Sequence, residues 1–280
     1  MKELFSKTDM QWVRYSDYTI IESGGVRYIT PVNDSTYEIY NPTNMATELV
    51  TDILVTGKKI RESDSIEEAE NIVLDFIRDY GMLGIMVDIP LNKDFAEREL
   101  TMLDTTSFST SGIMSSVEYM QQFFVKKINN KRANQVDITT DTAYTLCFSV
   151  GYCERIAQIA EYITELYDVL DLSIRYKNEK EAVSFMLNDK LKTNIRYSLS
   201  ATDKISIQYE FCSLIAVMNF TMANLLATEN NPFKICKHCG TPFYSENKKS
   251  EFCSERCRNQ YNVYKSRAKH GRPKRHSNNL

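Results

Sequence analysis

Two short stretches near the C-terminus of the 280-residue chain decide how its last part is read: ICKHCGTPF, Ile235–Phe243, and FCSERCRNQYNVYKSRAK, Phe252–Lys269. Cys236 and Cys239 form CxxC in the first, Cys253 and Cys257 form CxxxC in the second, and thirteen residues separate the two pairs. Zinc takes four soft ligands in a tetrahedron, and two close pairs bring four thiolates together with one loop closure between them. Gly240, just past the first pair, suits the turn of a knuckle whose amides face the sulfurs. Ordinary cysteines or a redox pair would leave unexplained why four of the seven cysteines fall within 22 residues. His238 lies inside the first pair as a competing ligand. A four-cysteine shell is closed, so the expected cofactor is one structural Zn2+ rather than a metal with a reactive water. Cys147, Cys153 and Cys212 sit in apolar patterns and read as core residues.

Beyond the second pair, Ser254 to Lys269 reads as a helix. Cys257, Tyr261, Tyr264 and Ala268 recur at helical spacing and mark the side that holds the metal. Arg258, Asn262, Lys265 and Lys269 repeat that spacing on a neighbouring side, and Arg256 and Arg267 form a third stripe. Cations so placed can pair with phosphates, and Asn259, Gln260 or Asn262 could reach base edges. The plainer reading is a solvated helix whose late cations complement its dipole.

Past the helix, KHGRPKRH resembles the core of an AT-hook. There an extended Gly-Arg-Pro places an arginine, here Arg272, in a narrow A·T minor groove. His270 precedes the glycine where an arginine is usual. Taken together, CxxC, the aromatic Phe243, an aromatic-Cys-Ser start and CxxxC leading into a basic helix resemble the CGNR-type zinc finger. That treble-clef-like element closes a family of bacterial transcription regulators. The name motif falls on Cys257-Arg258-Asn259-Gln260, so arginine stands for its glycine and glutamine for its arginine. FCSERCR is also similar to the end of small bacterial zinc ribbons, including gyrase inhibitors. In the body, DFIRDYGMLGI is similar to a Tyr-Gly-x-Leu-Gly segment of the CGNR group. The resemblance implies a DNA-binding regulator whose N-terminal part senses a signal.

Charge divides the chain at the same place. Residues 234–280 hold 12 Lys+Arg against 3 Asp+Glu, while residues 1–233 hold 22 against 34. A basic tail on an acidic body points to a polyanion. TENNPFK, Thr228–Lys234, reads as the linker, giving a body over 1–230 and a zinc module with basic helix and tail over 234–280.

The expected fold is mainly α with a small N-terminal β element. YTIIESGGVRYITPV reads as a hairpin around Gly24-Gly25 within a β region of about 1–45, and TYEIY as a further strand. SIEEAENIVLDFIRDYG has a capping box at Ser65 and Glu68, an apolar face of Ile66, Ala69, Val73, Phe76 and Tyr80, and a stop at Gly81. MLGIMVDIPLN is ambiguous between strand and loop. Further helices are expected over SVEYMQQFFVKKI, from about Asp141 to Leu172, near Lys180–Lys192, and from about Lys204 to Thr228. Within the last, the uncharged FCSLIAVMNFTMANLLA, Phe211–Ala227, is short and polar for a membrane span and reads as a buried helix.

The N-terminus lacks the apolar core of a secretory signal, and the cysteines suit a reducing compartment, so a bacterial cytoplasmic location is expected. All three histidines, His238, His270 and His276, lie in the tail, which leaves the body no imidazole for nucleophilic catalysis. No Gly-rich phosphate loop is present, and the chain does not read as an enzyme. The expected partners are DNA or RNA for the tail and an effector or protein for the body, with no membrane. The alternative is a protein-interaction module in which the zinc is purely structural and nucleic acid plays no part.

Overall fold

The computed structural model of the protein describes residues 10–88, 99–102, 112–115, 121–128, 131–132, 143–176, 191, 196–201, 205–228 and 232–270. The chain opens with four strands, β1 (Trp12–Tyr15), β2 (Tyr18–Ser23), β3 (Val26–Pro31) and β4 (Tyr37–Tyr40). β2 and β3 form the expected hairpin over Gly24-Gly25, and β1 pairs with β4. A 3-10 turn, Pro42–Met45, then leads into α1 (Ala46–Glu62) and α2 (Ile66–Tyr80). The Ser65 side chain accepts from the Glu68 amide at 3.1 Å, and the Glu68 carboxylate accepts from the Asp64 amide at 2.9 Å. The serine half of the capping box thus forms as the sequence encodes, while Glu68 reaches back one residue further, to the amide that precedes the cap. The buried side of α2 is Glu70, Val73, Leu74, Phe76, Ile77 and Tyr80, whereas Ile66 is 78% exposed. Ile66 belongs to the first turn, before the helix meets the core, so it falls outside the expected apolar face.

After α2 the backbone dives through the interior. Tyr80 to Met86 are all buried, and the passage ends in the short helix α3 (Ile85–Asp88). Two small hairpins follow, β5 (Glu99–Met102) with β6 (Gly112–Ser115), and β7 (Lys127–Ile128) with β8 (Lys131–Arg132). The described end of SVEYMQQFFVKKI, from Gln122, is thus turn and strand rather than helix. Phe123 and Phe124 are drawn into the core, and Lys126 donates to the carbonyls of Pro31 and Val150. The helix expected near Lys180–Lys192 falls outside the described residues apart from Leu191.

The long helix expected from Asp141 is broken. α4 (Ala143–Leu146) ends in turns, Cys153 donates its amide to Phe123 O at 2.9 Å, and β9 (Glu154–Arg155) pairs with β3 before α5 (Ile156–Arg175) begins. Within α5, Ile156, Ile159, Ile163, Leu166 and Leu170 are buried in the core, while Ala157 is exposed. The segment from Lys204 also divides. β10 (Arg196–Ala201) pairs with β11 (Ile205–Glu210), and α6 (Leu214–Ala227) starts only after Ser213, whose hydroxyl caps the Ala216 amide. Strict alternation in ISIQYE favours a strand. α6 is buried along most of its length, as expected, and no helix among the described residues is long and apolar enough to cross a membrane.

One core joins α1, α2, α5 and α6 with the N-terminal strands. At its centre the Glu154 carboxylate, fully buried, accepts from the amides of Leu83 at 2.9 Å, Gly84 at 2.7 Å and Ile85 at 2.7 Å, and from the Tyr152 hydroxyl at 2.6 Å. Trp12 donates its indole N–H to Met82 O at 2.9 Å. Gly84 has φ +79°, and a Cβ there would meet Trp12 at 2.7 Å and Ser213 at 2.9 Å. Strain in that conformation and the clash each cost on the order of 1–3 kcal/mol. Gly84→Ala is therefore expected to lower stability in urea by about 3 kcal/mol without removing bound metal. Burial holds the Glu154 carboxyl above its ordinary range, against the pull of Tyr152 and the three amides. Between the ordinary and raised values the folded chain binds more protons than the unfolded one, so this residue's contribution falls as pH rises through that window. The stability gap between wild type and Glu154→Gln, measured from about pH 4 to 7, should narrow with rising pH; a constant gap would refute the raised carboxyl.

Candidate functional site

The C-terminal module is built on a further small hairpin, β12 (Phe233–Ile235) with β13 (Pro242–Tyr244). The turn between them carries the first cysteine pair. Gly240 donates its amide to Cys236 O at 2.9 Å with φ +70°, and Cys236 donates its amide to Thr241 O at 2.9 Å. α7 (Glu255–His270) carries the second pair across its N-terminus, where Ser254 caps the Cys257 amide at 3.2 Å. Lys237 N donates to Glu251 O at 3.0 Å, which ties the knuckle to the strip leading into α7.

These two frames bring Cys236, Cys239, Cys253 and Cys257 together, with all four sulfurs within 4.8 Å of one another. The Cys239–Cys253 separation is 3.7 Å and Cys253–Cys257 is 3.5 Å. The four are positioned to bind one metal ion. Cys236 is buried, Cys257 half-buried, and Cys239 and Cys253 exposed. Burial alone would push the Cys236 thiol up, but the amides of Cys239, Cys253 and His238 together bring it down to about 6. Cys253 is pushed strongly upward, first by desolvation and then by its contacts with the Cys257, Cys236 and Cys239 thiols. Such crowding favours a cation that converts all four to thiolates at once.

Around the sulfurs, α7 is pinned along one side. The His238 ring bonds the Gln260 side-chain oxygen at 2.9 Å and stacks on Tyr264 with centroids 5.7 Å apart. Phe252 packs against Tyr261 at 5.2 Å. Gln260, a candidate base reader by sequence, is thus turned inward. His238, the candidate competing ligand, faces the helix, outside the four-sulfur group. Nothing in the spacing of His238 and Gln260, 22 residues apart, foretells their pairing.

Arg256, Arg258, Asn259, Asn262, Lys265 and Arg267 are all exposed on the other sides of α7. Arg258 pairs with Glu255 in its own helix at 3.0 Å. Arg256, Lys265 and Arg267 meet no carboxylate among the described residues. Lys269 lies in the last turn of α7, its side chain outside the described residues, and Arg272 falls outside them altogether.

The hairpin, in contrast, is seated on the body. Phe233 is 4% exposed and belongs to the main core, with Tyr244 packed against it. Lys58 of α1 donates to the Thr241 hydroxyl at 2.7 Å, and Arg175 of α5 donates to Gly240 O at 2.7 Å. Among the described residues of the body, the buried Glu154 is committed to backbone amides and Tyr152. The module therefore has one face fixed and one face open.

No protein family and no curated protein matches this chain. The geometry gives a direct test of the metal centre. The purified chain should carry close to one metal ion, and Cys239→Ser should lose it together with the structure of α7. Helical dichroism from the body should persist. Metal content well below one per wild-type chain, measured by mass spectrometry, would refute the site.

Proposed function

We propose that the protein is a zinc-binding, nucleic-acid-binding regulator, in which the C-terminal module contacts the nucleic acid and the body senses a ligand or partner. The metal assignment follows from the donor set. Zinc–sulfur bonds of about 2.3 Å put tetrahedral sulfurs about 3.8 Å apart, close to the 3.7 and 3.5 Å separations. An iron–sulfur cluster spreads its thiolates around several metal atoms and needs a wider cage. Four thiolates close the coordination shell, so the ion's work is structural: it holds the knuckle against the start of α7. No catalytic role is assigned to it, and the thiols suit a reducing, cytoplasmic setting.

A knuckle in the turn of a hairpin, followed by a helix carrying the second ligand pair, supports the reading of a treble-clef-like element, and the motif residues resemble the CGNR-type finger of bacterial transcription regulators. The single observation that carries nucleic-acid binding is the open face of α7, where Arg256, Lys265 and Arg267 are exposed and without carboxylate partners among the described residues. Docking on the body, the basis of the protein-interaction reading, uses the hairpin and leaves these cations free. Both contacts can operate in one molecule.

Because Phe233 is part of the main core, charge removal in α7 tests the proposal more cleanly than deletion of the module. Alanine at Arg256, Arg258, Lys265 and Arg267 together should abolish a low-salt electrophoretic shift while metal content stays at wild-type level. Each cation that meets a phosphate contributes about −0.9 to the slope of log affinity against log salt, so partial variants should flatten that slope stepwise. An unchanged shift in the fourfold variant would overturn the reading.

A further inference from the structure

We infer that α7 reads double-stranded DNA through the major groove, with Asn259 and Asn262 facing base edges and a row of cations along each border facing the phosphates. This deepens the reading above and rests on it.

Successive residues of a helix turn by about 100°, which fixes the faces of α7 once its anchored side is known. Cys257, Gln260, Tyr261 and Tyr264 define that side through the sulfur cluster, His238 and Phe252. The opposite side falls on Asn259, Asn262 and Ser266, all exposed, and no described residue bonds either amide. Arg258 and Lys265 run along one border of this strip, and Arg256 and Arg267 along the other. Small polar side chains in the middle and long cations on both edges match a groove about 12 Å wide with phosphates on either rim. Asparagine presents one donor and one acceptor side by side, the complement of adenine N7 and N6. Glu255 lies on the same strip, one turn before Asn259, where its charge is met by Arg258, and the helix as a whole carries five basic residues against this one acid.

Other nucleic acids fit less well. Single strands are held by one cationic track with aromatic platforms for the bases. Here the exposed aromatic of α7, Tyr264, lies on the anchored side, stacked on His238. The major groove of A-form RNA is too deep and narrow for side chains to read. From Asn262 to Ala268 every residue of α7 is exposed, so the helix stands clear of its module far enough to enter a groove.

The test uses the full-length, metal-loaded chain. Selection from a random duplex library should enrich a site containing adenine, and that duplex should bind more tightly than either of its single strands or the RNA of the same sequence. Asn259→Ala and Asn262→Ala should each reduce the preference for the enriched site over a scrambled duplex by about tenfold. Binding of the scrambled duplex should stay within about twofold, since phosphate contacts supply the sequence-independent part. Metal content reports that both variants keep their fold. Tighter binding of single strands or RNA, no enrichment, or an unchanged preference in both variants would overturn the major-groove reading while leaving nucleic-acid binding intact. Absence of binding by the wild-type chain to any of these probes at low salt would overturn the proposed function itself.

Discussion

The buried carboxylate of Glu154 solves a problem that the rest of the body depends on. The backbone from Tyr80 to Met86 crosses the interior without regular partners for its amides, and an unpaired buried N–H is costly. α3 is too short to satisfy its own first turn. Glu154 accepts three consecutive amides there, and the Tyr152 hydroxyl completes the set. Trp12 closes over the same passage from β1, and Ser213 closes it from the start of α6. β1, α3 and α6 thus meet around the passage that one side chain holds in place. Removing it would leave several buried donors without acceptors, which is among the few single changes able to undo a core of this size.

This arrangement explains which parts of the fold can be read along the chain and which cannot. The capping box at Ser65 and Glu68, the hairpin at Gly24-Gly25 and the four cysteines are short-range signals, and each forms as its local chemistry dictates. The break between α4 and α5 is different. Residues 141–172 look helical because their apolar spacing is helical, yet Glu154 must stay in a strand beside β3 to serve amides some 70 residues away. No local pattern contains that requirement. β11 is hidden for another reason, since the uncharged run begins at Phe211, directly after β11 ends, and makes the whole stretch from Lys204 read as one long helix. In the candidate site the metal ligands and the side chains of α7 were legible from spacing. The His238–Gln260 contact and the seating of the hairpin on Lys58 and Arg175 were not, because they depend on how distant elements meet.

The hairpin and α7 divide the module's work. One face carries Phe233 into the main core and offers Gly240 O and the Thr241 hydroxyl to cations of α5 and α1. Those acceptors lie within two residues of Cys239, so the body grips the chain right beside a metal ligand. The other face is left to cations and amides. A change in how α1 and α5 pack would be felt first at the knuckle and then along α7.

The first turn of α7 has a further consequence. A helix must fix several residues before its first hydrogen bond is made, and in water a segment of about 16 residues is marginal for that reason. Here the serine cap fixes that turn in advance, and an ion on the Cys253–Cys257 pair would hold it further. Such an ion would act as the nucleus of the helix, and extension to His270 adds one bond for each residue ordered. Among its described side chains, the far half of α7, from Asn262 onward, is held from the side by the Tyr264–His238 stack. Its helicity should rise and fall with temperature and with the charge brought against it, so a polyanion meeting this surface would spend part of its binding free energy on completing the helix.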